Sequence, residues 1–181
     1  MTLLLSRKRQ NLLLNTTNLT GAAWVFTNAN AATDTTVGPD GLTLAFKVRD
    51  SNTTVAFHQI DQTVTGGMYG SVTIGMYIKD AERTASVFRI LNGSLATIGN
   101  GTINMAANTF VTTNGRGAII PLADNWHFVW LTAANATDNA TFRLFPNIST
   151  SHAGTVNSGV YVHAPFMVRG ARVPTQHVRR P

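Results

Sequence analysis

The acidic side chains of this 181-residue chain are its first candidates for catalysis, because glycoside hydrolysis needs two carboxylates that face each other across a cleft. Asp40, Asp124 and Asp138 occur in segments typical of turns, where an aspartate caps its own backbone. Asp80 and Glu82 lie among basic neighbours at a predicted strand end, which indicates a solvated charge cluster. The sequence contains no nucleophile elbow, phosphate-binding loop or His-Glu-x-x-His helix. We therefore predict no catalytic residue and no enzyme activity.

The histidines and the missing cysteines decide the prediction on metals. The five histidines are far apart in the sequence and lack the spacing of metal ligands: His58, His127, His152, His163 and His177. Because the chain has no cysteine, zinc-thiolate sites, disulfides and thiol catalysis are excluded. No run of acidic and carbonyl donors is similar to an EF-hand loop, so no calcium site is predicted either. We expect neither a metal site nor a cofactor.

Trp126 and Trp130 are candidates for stacking against a sugar ring. They lie four residues apart on a predicted strand, so their side chains point to the same side of the sheet. Aromatic faces bind the apolar faces of sugars, but large aromatic residues also supply much of the buried area in a sandwich core. We favour a core role for both residues, and more strongly for Trp24, with glycan stacking as the alternative.

Basic residues are concentrated at the two ends of the chain. Fourteen basic residues against eight acidic ones give a net charge of +6, yet half of the basic residues lie in the terminal segments. Such ends can neutralise nucleic-acid phosphates, pair with an acidic protein surface or extend into solvent as tails. The ends lack interleaved aromatic residues, so nucleic-acid binding is not expected. We predict contacts with a protein partner through Arg7, Lys8, Arg9, Arg169, Arg172, Arg179 and Arg180.

The composition and the alternation of apolar residues predict an all-β fold. Only 12% of the residues are charged, and the glutamates and lysines that usually build helical surfaces are scarce. Apolar and polar residues alternate with period two in Leu42–Arg49 and Ser71–Lys79, as in half-buried antiparallel strands. Trp126–Thr132 is apolar on both faces, which predicts a central strand covered on both sides. Further strands are predicted over Thr54–Ile60, Ala85–Leu91, Thr141–Phe145 and Val160–Val168.

Turn residues separate these strands at short intervals. The predicted turns are Gly38–Gly41, Gly66-Gly67, Asn92-Gly93, Asn100-Gly101, Asn114-Gly115 and Ala123–Asn125. This spacing predicts an antiparallel two-sheet jelly-roll β-sandwich of about 8–10 strands. We expect a basic arm over 1–10, one sandwich domain over 11–170 and a second basic arm over 171–181. No segment approaches the roughly 18 apolar residues of a membrane span, so no membrane association is predicted.

Several blocks, in order along the chain, resemble the jelly-roll module of bacteriophage virion proteins. They begin with Asn11–Asn15 and Ala22–Trp24, continue with the turn Pro39–Gly41, and include the segments His58–Thr65, Thr73–Arg83, Trp126–Val129 and Gly159–Val162. Each block alone is a strand with its turn residues, whereas their common order over most of 11–170 makes the resemblance moderately specific.

The resemblance implies a sandwich similar to carbohydrate-binding jelly rolls in tail fibres, tail spikes and head decoration proteins. It implies a virion location and no enzyme activity. In fibre proteins the module is one segment among others, whereas here it forms nearly the whole chain, which favours a small stand-alone component. Our leading prediction is a capsid decoration or cement protein, by analogy a trimer, whose basic arms bind the major capsid protein or neighbouring shell or tail subunits. The alternative is a tail- or fibre-associated module that recognises a host glycan.

Overall fold

The structure is a computed structural model, which describes residues 10–135 and 137–171. The strands in chain order are β1 (Val25–Thr27), β2 (Ala29–Val37), β3 (Leu44–Asp50), β4 (Val55–Phe57), β5 (Gln59–Val64), β6 (Gly70–Asp80), β7 (Ala85–Asn92), β8 (Thr97–Asn104), β9 (Thr109–Thr113), β10 (Arg116–Pro121), β11 (Trp126–Asn135), β12 (Ala140–Phe145), β13 (Ser151–Ala153) and β14 (Gly159–Arg169). A short 3-10 turn over Ala123–Asn125 connects β10 and β11. Within the described ranges, no helix has the length and apolar character needed to cross a membrane.

Two six-stranded antiparallel sheets pack face to face. Sheet I has the strand order β1-β5-β12-β7-β8-β9, and sheet II has the order β10-β11-β6-β14-β3-β2. A separate two-stranded ribbon pairs β13 with β4. The predicted all-β, two-sheet antiparallel sandwich is therefore confirmed, although the described residues form more strands than the sequence predicted.

The core lies between the two sheets and follows the alternation of the strands. Apolar side chains of sheet I, such as Ile60, Phe88 and Phe142, meet those of sheet II, such as Ile74 and Leu131, and all of these are fully buried. An alternating strand sends every second side chain to the same face, so one face of each sheet forms the core. The other faces remain available for polar groups.

Strand β11 is buried on both faces, as the sequence predicted. Its odd-numbered residues, such as Val129, join the main core, and Phe128 belongs to a second apolar cluster with Phe166 on the outer face of sheet II. The predicted central position is wrong, because β11 is the second strand of its sheet, between β10 and β6. Strands β6 and β14 occupy the middle of sheet II.

Two predictions from local sequence are corrected by the structure. The predicted turn Asn100-Gly101 lies inside β8, where Gly101 is needed because the rings of Phe88 and Phe110 pack directly over its backbone. The predicted strand Thr54–Ile60 is two strands, β4 and β5, separated at His58. The side chain of His58 points into a buried polar cluster, and this position interrupts the pairing.

Candidate functional site

Four polar side chains form a continuous row across the outer face of sheet I. Asp61 on β5 is the cross-strand neighbour of Arg143 on β12, Arg143 faces Arg89 on β7, and Arg89 faces Asn100 on β8. We call these four residues the polar row. The alternation that buries Ile60 places the next residue, Asp61, on the opposite face. The row crosses three inter-strand spacings, which is roughly 14 Å.

The first half of the row is a bidentate ion pair. Arg143 donates from Nε to Asp61 Oδ1 at 2.8 Å and from Nη2 to Asp61 Oδ2 at 2.7 Å. Asp61 Oδ2 also accepts a hydrogen bond from the Gln59 side-chain amide at 3.0 Å. The two charged side chains are only 19% and 14% exposed. This pair is thus a rigid, largely buried element, because a guanidinium and a carboxylate match each other's planar geometry.

The second half of the row carries an unbalanced positive charge. Arg89 donates from Nε to Asn100 Oδ1 at 2.8 Å, and its guanidinium lies 4.9 Å from the ring centroid of Phe145. Burial lowers the pKa of Arg89, and the positive charge of Arg143 lowers it further. Among the described residues, Arg89 has no acidic partner within ion-pair distance. The row therefore contains two guanidinium groups and one carboxylate.

Exposed apolar side chains flank the polar row. Phe57 is 53% exposed, and its ring centroid lies 6.3 Å from that of the buried Phe145, beneath the Arg89 guanidinium. Val25 is 60% exposed and pairs with Asp61 in the neighbouring strand β1. Planar polar donors beside exposed apolar surface are the groups that bind the hydroxyls and the apolar faces of sugars. The arrangement is therefore suited to binding a sugar. It holds a single carboxylate, that of Asp61, which is already paired with Arg143.

A second concave surface lies near one edge of sheet II. This groove of about 510 Å³ is lined mainly by threonine hydroxyls, together with Phe46 and His163. Burial lowers the pKa of His163, although the carboxylate of Asp40, 3.5 Å from its Nε2, acts in the opposite direction. The groove offers hydroxyl groups and one aromatic ring, but no guanidinium among its lining residues.

Most of the predicted basic contact residues lie outside the described part of the chain. These are Arg7, Lys8, Arg9, Arg172, Arg179 and Arg180. Arg169 is described: it is the last residue of β14, it is exposed, and its guanidinium packs against Gly67 in the β5–β6 connection. The predicted contact between the arms and a protein partner is not tested by the described residues and stays a prediction.

The two tryptophans predicted to share a face do lie on the outer face of sheet II. Trp126 is only 2% exposed, donates from Nε1 to the Val37 carbonyl oxygen at 3.2 Å, and packs edge-on against His163. Trp130 is half-buried and packs against the cluster of Phe128 and Phe166. Trp126 is thus a core residue, whereas Trp130 retains some accessible ring surface. Neither residue belongs to the polar row.

Two histidines that are far apart in the sequence meet in the fold, which their spacing did not predict. His58 and His152 pack together, with ring centroids 4.6 Å apart, and both face the carboxylate of Asp50. No local pattern indicates this cluster, because the two histidines are 94 positions apart in the chain. His127 behaves as a sheet histidine, because it contacts Asn108 Oδ1 through Nε2 at 2.6 Å and burial lowers its pKa.

The fold is similar to that of jelly-roll modules in several solved structures. The enzymatically active domain of tailspike protein 4 from bacteriophage CBA120 matches with a TM-score of 0.53 and 16% identity, over 87% of this chain and 21% of that chain. The CBM22-1–GH10 modules of xylanase 10B from Clostridium thermocellum, in complex with xylohexaose, match with a TM-score of 0.50 and 10% identity, over 91% of this chain and 28% of that chain. CBM35 from Paenibacillus barcinonensis matches with a TM-score of 0.46 and 14% identity, over 83% and 96% of the two chains.

These likenesses show the fold, an antiparallel jelly-roll β-sandwich. The chain spans only about a fifth of the tailspike chain and just over a quarter of the xylanase chain. No protein family and no curated protein sequence matches the chain.

Proposed function

We propose that this protein is a non-catalytic glycan-binding module of a bacteriophage tail-associated protein, and that its ligand is an acidic oligosaccharide of the host surface. The polar row carries this proposal, since it places two guanidinium groups and one carboxylate on a sheet face with exposed apolar flanks. Arg89 has a charge that no acidic side chain in the row balances, and a sugar carboxylate would balance it. The fold supports the same function, because it is similar to a bacteriophage tailspike domain and to xylanase modules whose structure contains xylohexaose.

The alternative of capsid decoration has less support. It depends on the basic arms, and six of their seven predicted contact residues lie outside the described part of the chain. The trimer rests on the resemblance alone and stays a prediction. Glycan binding, in contrast, depends on residues whose positions and contacts are described. For this reason we propose glycan binding as the function.

Titration calorimetry with purified acidic and neutral oligosaccharides from bacterial surface polysaccharides tests this function. We expect saturable binding of an acidic oligosaccharide that weakens as the salt concentration rises, because charge pairs are screened. Arg89→Ala is expected to weaken binding about 10- to 100-fold, since a hydrogen bond to a charged group contributes about 1.5–3 kcal/mol. The matched control is Arg116→Ala, which removes an exposed arginine from β10 in the other sheet and is expected to leave binding unchanged.

Three outcomes contradict the proposal. One is a protein that binds only neutral sugars, and another is an Arg89→Ala variant that binds the acidic oligosaccharide as tightly as the wild type. The third is a loss of binding on His163→Ala with no effect of Arg89→Ala, because this result moves the ligand to the threonine-lined groove. A protein that coats assembled shells and binds no sugar supports the decoration alternative instead.

A further inference from the structure

A buried cluster of Asp50, His58 and His152 lies beside the start of β5 and shares no residue with the polar row. Asp50 is the last residue of β3, His58 lies between β4 and β5, and His152 is the middle residue of β13. The side chains of Asp50 and His58 are fully buried, and that of His152 is 10% exposed. Three separate chain segments therefore bring metal-binding types of side chain to one closed place.

Backbone carbonyl groups fix the tautomers of both imidazole rings. His58 Nε2 lies 2.9 Å from the carbonyl oxygen of Thr54, and His152 Nδ1 lies 2.9 Å from that of Ser149. A carbonyl oxygen only accepts hydrogen bonds, so each of these ring nitrogens carries the hydrogen. In the neutral rings, His58 Nδ1 and His152 Nε2 consequently present lone pairs.

These two lone pairs point at a carboxylate oxygen that is itself rich in electrons. Asp50 Oδ1 lies 3.3 Å from His58 Nδ1 and 3.3 Å from His152 Nε2, and His152 Nε2 also lies 3.2 Å from Asp50 Oδ2. Among the described residues, the buried His58 Nδ1 has no hydrogen-bond partner. One ligand atom from each of the three residues lies within 4.8 Å of the others. Three acceptor atoms thus converge on one point with no donor between them.

The other oxygen of Asp50 is already satisfied. Asp50 Oδ2 accepts hydrogen bonds from Arg83 Nη2 and from the backbone N–H of Thr155, both at 2.9 Å. These contacts hold the carboxylate in place beside the two histidines. Together with the carbonyl groups of Thr54 and Ser149, they form the outer layer of hydrogen bonds that orients ligands in metal sites.

We propose that Asp50, His58 and His152 bind one zinc ion, which ties β3, β5 and the β4–β13 ribbon together. Two imidazole nitrogens and one carboxylate oxygen form a donor set that zinc accepts, whereas calcium prefers sites made of six to eight oxygens. In a tetrahedral site with zinc–ligand bonds of about 2.0–2.1 Å, neighbouring ligand atoms are about 3.3 Å apart. The distances from Asp50 Oδ1 to the two nitrogens have this length. Three protein ligands leave the fourth position of a tetrahedral ion to a water molecule. Because Asp50 and His58 are fully buried, we assign the ion to stabilising the fold.

Protonation of both histidines is the competing explanation of the same geometry. One extra proton on each histidine adds the same total charge as one divalent ion. Each of these protons would be donated in a hydrogen bond to the Asp50 carboxylate. Metal uptake distinguishes the two explanations, because only the zinc site takes up one ion per chain. This inference uses no residue of the polar row, so it stands or falls independently of the glycan-binding function.

The first test uses the full wild-type chain after treatment with EDTA and dialysis. Zinc chloride is added, and the bound metal is measured by mass spectrometry, with calcium chloride as the parallel arm. We expect one zinc per chain, an increase in melting temperature with zinc and no increase with calcium, because an ion that binds only the folded state stabilises it. Cobalt(II) is expected to give the intense visible absorption of a tetrahedral site. A chain that takes up no zinc and gives no such spectrum overturns the proposal and leaves protonated histidines as the explanation.

The second test compares two histidine variants. His152→Gln removes a ligand at the least buried position, and His163→Gln is the matched control on β14, outside the cluster. We expect the zinc affinity to fall about 100-fold or more in His152→Gln and to be unchanged in His163→Gln. Equal zinc affinity in the two variants overturns the assignment. Should His152→Gln fail to fold, Asp50→Asn and the wild-type cobalt spectrum decide the question.

Discussion

Arg143 and Asp61 are cross-strand partners on β12 and β5, and they form a bidentate ion pair on the outer face of sheet I. The sandwich core lies on the other face, so this pair contributes through charge and hydrogen bonding. Asp61 is the only carboxylate of the polar row, and it holds the guanidinium of Arg143 in place beside that of Arg89.

Asp61→Asn is expected to lower the free energy of unfolding by about 1–2 kcal/mol, because it removes the charge that two hydrogen bonds depend on in a poorly exposed pair. Urea denaturation monitored by fluorescence measures the change. Glu82→Gln is the control: it breaks the pair with Lys47, but Glu82 is 50% exposed, so the change is expected to stay within about 0.5 kcal/mol. Equal losses in the two variants contradict the interpretation of the Asp61–Arg143 pair.

The turn at Asp40 is expected to contribute to stability in acid. Burial by itself raises the pKa of Asp40, but hydrogen bonds from the Thr43 hydroxyl and from the backbone N–H groups of Leu42 and Thr43, with the nearby His163, lower it from 3.8 to about 2. A carboxyl group whose pKa is lower in the folded state stabilises the fold above its unfolded pKa. This stabilisation is lost as the pH falls from about 4 to about 2.

Measurement of the unfolding free energy between pH 5 and pH 2 checks this prediction. The wild type is expected to lose stability more steeply than Asp40→Asn over that interval, because the variant has no carboxyl group to protonate there. Asp124→Asn, a change at an exposed turn residue between β10 and β11, is expected to retain the wild-type slope. Identical slopes for the wild type and Asp40→Asn show that the Asp40 hydrogen bonds do not contribute.

Gly75→Ala is expected to destabilise the fold by about 1–3 kcal/mol through overpacking. A Cβ atom at Gly75 on β6 would lie 2.5 Å from Phe166 Cζ and 2.6 Å from the Val129 carbonyl oxygen, and the latter belongs to the backbone of the next strand. Gly93→Ala is the matched control, since its nearest atoms lie at 3.4 Å. That change is expected to be neutral or slightly stabilising, because alanine restricts the unfolded chain. Thermal melts of both variants decide the matter, and a stable Gly75→Ala variant contradicts the packing.

The two tryptophans of β11 are expected to respond differently to truncation. Trp126→Ala is expected to cost about 3–5 kcal/mol, because the side chain is buried and loses its hydrogen bond to Val37. Trp130→Ala is expected to cost less, because Trp130 is half-buried. Trp130→Ala is also expected to leave binding of the acidic oligosaccharide intact, since Trp130 lies on sheet II. Calorimetry that finds a selective loss of sugar binding in folded Trp130→Ala moves the glycan site to the outer face of sheet II.

Much of the fold is predictable from local sequence, because alternation reports directly on which face of a strand is buried. Ser71–Lys79 corresponds closely to β6, and Val160–Val168 to β14. Strand β8 is not predictable in this way, because Asn100 and Gly101 within it are typical of a hairpin turn. Only the packing of the Phe88 and Phe110 rings over Gly101 explains why this segment is extended, and that packing is a tertiary contact.

The candidate site was not predictable by the same reasoning. Asp61, Arg89, Asn100 and Arg143 come from four strands, and their adjacency depends on the cross-strand register and on the order of strands in sheet I. The pattern of one strand indicates which side chains share a face, but it does not indicate which strands are neighbours. The same limit applies to the meeting of His58 with His152, because it depends on the pairing of β13, which contains His152, with β4, which directly precedes His58.

The four side chains of the polar row project from paired strands and not from loops. The backbone hydrogen bonds between these strands therefore fix the distances between the four side chains. Exchange of a single outward-facing residue alters this surface without disturbing the layer beneath it. Under the glycan-binding function proposed above, point substitutions would therefore change the ligand preference, whereas insertions within these strands would shift the register and remove the surface.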